Sequence, residues 1–418
     1  MTKKLGFLIP GFIDDVGISR LKKHIKYFKK ISDDGEFYLI DLSLFNFKKT
    51  KNYKKKFIGV NAKYFRPKSF KEAREFLSYD KFYLITGDIY AFSQIIIFFL
   101  LKLFKIKLLM INNRGFVLQS SLKVTNISSF RSRYILKKLE IFTYKIFTIF
   151  NFIQKIDYYF ESSNDQIKIL EKGKLKKIDK IFKINFFSPY KKIYRINSSL
   201  ADKYNIEDYV NDNNSSNKVI SVVDSGYLHP DKKIYENISF DKVTQNANYY
   251  YQELSKLLLS IKKYNQGKII FCKHPRAIYK SKFFKQIENN FIVTSKNTEA
   301  QILKSDLTIF TGGSSLVNLS IITFKKILLI KSIDQSYSAS LIESLNKKIK
   351  LETIDLYQFF KKYDNPEAEK KFFNKFNISN NFIKNEYKKY IYNNIVYKND
   401  QKSYNQIKDI IFSQNVQK

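Results

Sequence analysis

Short apolar runs alternate with longer helical patterns from the first residues onward, and this rhythm limits what the chain can fold into. A strand that is followed by a helix reaches a parallel neighbour through a crossover, so repeated strand-helix-strand units build parallel sheets faced by helices. Two such series are present. Strand candidates of the first fall at residues 4–9, 37–41, 82–86, 106–111 and 157–160; those of the second fall at 219–223, 268–272, 291–294, 306–310 and 326–330. Helices fit between them: Ile18, Leu21, Ile25 and Phe28 repeat on one face, and Ser69 with Glu72 has the spacing of a capping box. The clearest stripe carries Tyr250, Leu254, Leu257, Leu258 and Ile261.

The polar residues 191–218, which end in NDNNSSNK, read as a linker between the two series. The 418-residue length suits a pair of domains. The prediction is two Rossmann-like α/β domains facing across a cleft, residues 1–190 and 219–335, with a helical Lys/Asn-rich extension over 336–418. There is no internal repeat.

The chain carries 75 Lys+Arg against 38 Asp+Glu, a formal charge of +37. Such a field favours anionic substrates and the inner leaflet of a membrane. It does not specify nucleic acid, because only eight of the basic residues are Arg and no nucleic-acid motif is present. The abundance of Lys, Ile, Asn, Phe and Tyr is also what AT-rich codons supply. The lone Cys272 excludes an intrachain disulfide. At the start, Pro10, Gly11 and Asp14-Asp15 break the apolar run too early for a signal peptide, and the stretch 95–104 is too short for a transmembrane helix, so a cytoplasmic protein is expected. No His/Cys/carboxylate cluster has metal spacing, so neither a metal nor a resident cofactor is expected. P-loop and nucleophile-elbow patterns are absent as well.

Three segments of the second series concentrate donors and charges at predicted strand ends, where open α/β sheets bind ligands. In DLTIFTGGSSLVNLSIITFKKILLI, Gly312-Gly313-Ser314-Ser315 joins a strand to an apolar helix. Glycine backbone, helix N–H groups and hydroxyls there would cradle a phosphate; a plain turn with a Ser cap is the alternative. In KIIFCKHPRAIY, Lys273, His274 and Arg276 emerge just past a strand, and Pro275 biases His274 towards an extended conformation. VISVVDSGYLHPDKK ends its strand in Asp224, with Gly226, His229 and Asp231 following; Asp224 is a candidate general base or a turn cap. Thr298 is placed to cap the next helix, with Glu299 in its first turn. In the first domain, Asp14, Asp15, Asp88 and Asn112-Asn113-Arg114-Gly115 follow strand candidates. Asp33-Asp34-Gly35 falls between a helix and a strand, at the opposite edge.

Taken in order, Asp224-x-Gly226 with His229-Pro230-Asp231, Lys273-His274-Pro275-Arg276, Thr298-Glu299 and Ser314-Ser315 resemble the bacterial GT-B glycosyltransferases with His-Pro and Ser-Ser motifs, among them sialyltransferases and capsule transferases. The resemblance covers about residues 219–332. It implies the GT-B architecture and a nucleotide sugar bound in the second domain, without a metal and with inversion. His274 would stabilise the departing phosphate, Ser314 and Ser315 would hold its oxygens, and Glu299 would meet the ribose. The donor it favours is CMP-linked, carrying a nonulosonate such as sialic acid or Kdo, with UDP- or GDP-sugars behind it. The acceptor would be a glycan or lipid-linked glycan of a capsule or lipopolysaccharide. Those relatives keep their base in a D/E-D/E-G motif, which occurs here only as Asp33-Asp34-Gly35, so Asp224, Asp15 and Asp88 all stay candidates.

The same fold also accommodates a CDP-alcohol phosphotransferase or a sugar-nucleotide epimerase, and a basic nucleic-acid-binding protein is the alternative of another class. From 131 to 155 basic residues interleave with Phe142, Phe147 and Phe150 at helical spacing. That segment would either rest on an anionic inner membrane or pack its Phe/Ile face on the first sheet.

Overall fold

The computed structural model describes residues 5–9, 21–22, 25–32, 37–45, 57, 60–77, 82–84, 92–112, 139–140, 142–144, 146–148, 150–171, 190–210, 218–229, 240–279, 282–332, 336–375 and 380–413. The chain divides into two compact units. The first holds the described residues up to Asp202 together with those from Val396 onward; the second is Lys203–Ile395.

The first unit is built on seven strands, β1 (Leu5–Ile9), β2 (Phe37–Asp41), β3 (Lys63–Phe65), β4 (Phe82–Leu84), β5 (Lys107–Asn112), β6 (Ile156–Glu161) and β7 (Tyr190–Arg195), in the order β3-β2-β1-β4-β5-β6-β7. All their pairings are parallel. The second carries β8 (Val219–Val223), β9 (Lys268–Cys272), β10 (Ile292–Thr294), β11 (Leu307–Phe310), β12 (Lys326–Lys331) and β13 (Glu352–Asp355), ordered β10-β9-β8-β11-β12-β13 and again all parallel. Each sheet grows outward one way from its first strand and then, with its fourth, the other way. This is the doubly wound Rossmann order, and the reversal opens a crevice at the carboxyl ends of the first and fourth strands.

All ten expected strands are present. The three that were not anticipated, β3, β7 and β13, are all edge strands. An edge strand needs little apolar surface and gains from charges that block further pairing, so β7, with Lys191 and Lys192 exposed, reads in sequence as polar linker. All but its first residue lies inside the stretch 191–218, and β13 lies inside the expected helical extension.

A second difference is the path after Val396. The helix Ser403–Ser413 belongs to the first unit, where Ile407 and Ile411 are fully buried with Leu5, Phe7 and Ile9. Asn197, 4% exposed, locks this return. Its side-chain amide donates to the carbonyls of Lys398 and Gln401, both at 2.7 Å, and its side-chain oxygen accepts the N–H groups of Tyr397 and Lys398. Its own backbone N–H donates to Gln406. One buried Asn thus satisfies four partners through its side chain, its full capacity.

In the second unit the helix Phe240–Asn265 lays Tyr250, Leu254, Leu257, Leu258 and Ile261 into the core, all fully buried, as their spacing predicts. In the first, Leu21, Ile25 and Phe28 are buried, and Ser69 accepts the N–H of Glu72 at the head of the helix Phe70–Phe76. The Glu72 carboxylate returns to the N–H of Lys68, one residue before the usual capping-box partner. Among the described residues, no helix is long and apolar enough to cross a membrane.

Candidate functional site

The switch point of the second sheet lies between β8 and β11, and Asp224 stands one residue past β8. Its N–H donates to the Cys272 carbonyl of β9, while the N–H of Thr311 donates to Val223, so the carboxylate is held between three strand ends. Asp224 is 3% exposed and both its oxygens accept hydroxyls: Tyr279 at 2.6 Å and Thr311 at 2.8 Å. Tyr279 also accepts the backbone N–H of His274 at 2.7 Å. Thr311 accepts the N–H of Ser225 at 2.9 Å. A single buried carboxylate therefore ties the loop after β9, the loop after β8 and the Gly-Gly turn after β11 to one point. Burial, reinforced by the Asp224 charge, drives the Tyr279 phenol far above its ordinary range, so it stays protonated and donating.

Within that frame the Nδ1 of His274 accepts the N–H of Arg276 at 3.3 Å, so the neutral ring carries its proton on Nε2 as a donor. The His229 ring meets it edge-on at 4.7 Å between centroids. Gly226 allows this contact: its φ is +75°, and a Cβ there would stand 3.1 Å from the Cβ of His274 and 2.9 Å from that of Ala277. The structure thus gathers Asp224, His229, His274 and Arg276 at one sheet edge.

Other predicted residues have different surroundings from those expected. Lys273 pairs with Glu288 at 2.9 Å and lies over the rings of Tyr279 and Phe284. The N-cap of the helix Thr298–Lys304 is Asn297, in the left-handed region, rather than Thr298. Glu299 accepts the Lys203 ammonium and the Tyr204 hydroxyl. In the Gly-Gly turn, Gly313 donates its N–H to Ser338 at 2.8 Å. A Cβ on Gly312 would collide with Ser338 and Ser225, and one on Gly313 with Leu341. Close packing on the helix Ser336–Asn346 accounts for both glycines. Ser314 accepts the N–H of Leu316, and Ser315 is exposed. Asp15, Asp88, Asp231 and Asp33-Asp34-Gly35 lie outside the described residues.

Sequence reasoning missed Tyr279, Thr311, Ser225 and Ser338. Tyr279 closes the KHPRAIY segment five residues after His274, and Thr311 immediately precedes the glycines, so hydroxyls beside the conspicuous residues were the available signal. It also missed Glu161, which closes β6 in the first unit. That carboxylate is fully buried and accepts Asn112 at 2.7 Å, the Ser163 N–H at 2.9 Å and Tyr159 at 3.1 Å. Burial pushes it up to about 7 despite those donors.

No family model and no curated protein matches the sequence. Solved structures match the fold. The Arabidopsis thaliana UGT89C1 complexed with UDP aligns over 99% of this chain and 99% of its own, with a TM-score of 0.50 and 9% identity. The putative UDP-N-acetylglucosamine 2-epimerase from Listeria monocytogenes aligns over 100% and 98%, with a TM-score of 0.50 and 10% identity. Likeness at that identity concerns architecture and leaves chemistry to the site itself. With its two parallel sheets in Rossmann order, the chain has the two-domain α/β fold of the GT-B type.

Proposed function

We propose that the chain is a glycosyltransferase that moves a sugar from a nucleotide donor to a surface-glycan acceptor, with the donor phosphate outside the carboxyl ends of β8, β9 and β11. The observation that carries this reading is His274, a Nε2–H donor whose backbone is tethered through Tyr279 to a buried carboxylate at the switch point. In the transfer an acceptor hydroxyl attacks the anomeric carbon and gives up its proton to a base. The bond from that carbon to the donor phosphate breaks, and its electron pair stays on the phosphate oxygen. A donor fixed in advance where that charge grows lowers the barrier. His274 is that donor, with Arg276 and the exposed Ser315 adding charge and a hydroxyl.

Asp224 serves positioning rather than proton abstraction, because both its oxygens are already engaged. Asp15 and Asp88, the other two candidates for the base, lie outside the described residues. The sequence order of the His-Pro and Ser-Ser segments supports a CMP-linked nonulosonate as donor and a capsule or lipopolysaccharide glycan as acceptor, with inversion and without a metal. Of the two aligned structures, one is complexed with UDP and the other is described as an epimerase of a UDP-sugar, so the fold leaves the nucleotide and the reaction to experiment.

Thermal stabilisation of the purified protein by CMP, CDP, UDP, GDP and ADP tests the reading, since a ligand that binds only the folded state raises its melting temperature. One nucleotide should give a shift that His274→Ala and Ser315→Ala remove. No shift with any of them would end the donor-site assignment. Product analysis then separates a new glycosidic bond from a phosphodiester or an epimerised nucleotide sugar.

A further inference from the structure

The first unit leaves apolar side chains on its outside that its own core does not use. In the helix Phe92–Leu103, Ile97, Phe98 and Leu101 are fully buried, while Phe99 and Leu103, four residues apart, are 42% and 53% exposed. The described helical residues 139–140, 142–144 and 146–148 bury Tyr144 against Phe98, with ring centroids 6.1 Å apart. Leu139 and Phe142 are 49% and 61% exposed on that helix, and Phe150 and Phe152 are 66% and 52% exposed just beyond it. Leu139 and Phe142, three residues apart, share one side of that helical stretch. Both segments cover the same face of the first sheet, since Ile97, Phe98, Tyr144 and Ile153 share one core cluster. They are also joined directly, the N–H of Gln154 donating to the Phe98 carbonyl at 3.1 Å. Among the described residues, six of the thirteen exposed large hydrophobic side chains fall on these two neighbouring segments, so they form a patch rather than scattered exceptions.

The charge beside this patch points to its occupant. Lys102 and Lys155 both have their ammonium groups pushed below the ordinary lysine range, first by desolvation and then by Lys191, with Lys102 also acting on Lys155. The geometry agrees: Lys102 adjoins the exposed Leu103, Lys155 follows Gln154, and the Asp157 carboxylate that accepts the Gln154 side-chain amide at 3.0 Å also pairs with Lys191 at 2.6 Å. A second copy of the chain docking symmetrically on this face would bring two such clusters together, on a protein of formal charge +37. An anionic lipid surface meets both demands, taking phenylalanines into the acyl boundary and lysines at the headgroups.

We propose that the face carrying Phe99, Leu103, Leu139, Phe142, Phe150 and Phe152, flanked by Lys102, Lys155 and Lys191, docks on an anionic membrane surface. This docking is independent of the transferase reading, and its test involves no nucleotide. The full chain is sedimented with vesicles of phosphatidylglycerol and phosphatidylcholine, and with vesicles of phosphatidylcholine alone. Binding to the anionic vesicles is expected, weakening with salt. The double variant Phe142→Ser/Phe150→Ser keeps every charge and alters only exposed positions; it should retain the wild-type melting temperature and lose about tenfold or more in binding. Lys102→Glu/Lys155→Glu should lose binding to the anionic vesicles selectively. Unchanged binding in the Phe variant would overturn the proposal, because net charge alone would then explain attachment. It would also be overturned by failure of the wild type to bind, or by a dimer in solution that the Phe variant dissociates, which would assign the face to a second copy.

Discussion

Two tyrosines with touching environments should respond in opposite ways to the same one-atom deletion. The rings of Tyr251 and Tyr279 lie 6.3 Å apart. Tyr279→Phe removes the donor to an Asp224 oxygen and the acceptor for the His274 N–H, leaving a 3% exposed carboxylate short of one partner. Loss of a hydrogen bond to a buried charge, together with an orphaned amide, costs about 2–4 kcal/mol. At about 2–4 °C per kcal/mol for a unit of this size, the melting temperature should fall by roughly 4–16 °C. Tyr251 is fully buried, yet its hydroxyl has no hydrogen-bond partner among the described residues. Tyr251→Phe removes a desolvated group that bonds to nothing, so stability should hold or rise, by about 1 kcal/mol at most. Both variants are compared with wild type by thermal and urea denaturation. Equal losses in the two, or a neutral Tyr279→Phe, would refute the tether from Asp224 through Tyr279 to His274.

Gly226→Ala places a side chain at φ +75° against His274 and Ala277, and should cost about 2 kcal/mol or more in urea denaturation, whereas a neutral result would mean the turn relaxes freely. Glu161 sets a pH dependence of the opposite sign to that of a salt-bridged carboxylate. Its carboxyl is raised from 4.5 to about 7 in the folded chain, so the folded state holds its proton more tightly than the unfolded state. Its contribution to stability is present in full below pH 4.5 and is lost as pH rises through about 7, by roughly 3 kcal/mol at most. Wild type measured against Glu161→Gln from pH 5 to pH 8 should show that decline, and parallel profiles would contradict it.

The apolar strands were legible because a central parallel strand is buried on both faces and must be continuously apolar, as in LTIF or VISVV. β7 was not, because an edge strand written YKKIYR carries the same polar signal as a linker. The return of the chain into the first unit was hidden for another reason. Ile407 and Ile411 announce an amphipathic helix, but nothing local tells which of two cores it will join. At the candidate site, rare residue types drew attention to His274 and Asp224, which stand together past the ends of β8 and β9. The hydroxyls that organise them are common residues whose roles appear only when three strand ends converge. The glycines of the Gly-Gly turn carried an ambiguous signal, since close backbone approach serves a neighbouring helix as well as it serves a phosphate.

The locking of Asn197 by residues about two hundred positions further along has a consequence during synthesis. Among the described residues the second unit is the stretch Lys203–Ile395, and it can close its core once that stretch has left the ribosome. The first cannot: the places of Ile407 and Ile411 among Leu5, Phe7 and Ile9 stay vacant for as long as some two hundred intervening residues take to be made. At about 5–20 residues per second, that interval is on the order of 10–40 seconds. The part of the chain that emerges first is therefore the part that matures last, and for that time the apolar surface that Ile407 and Ile411 will cover stays open to water.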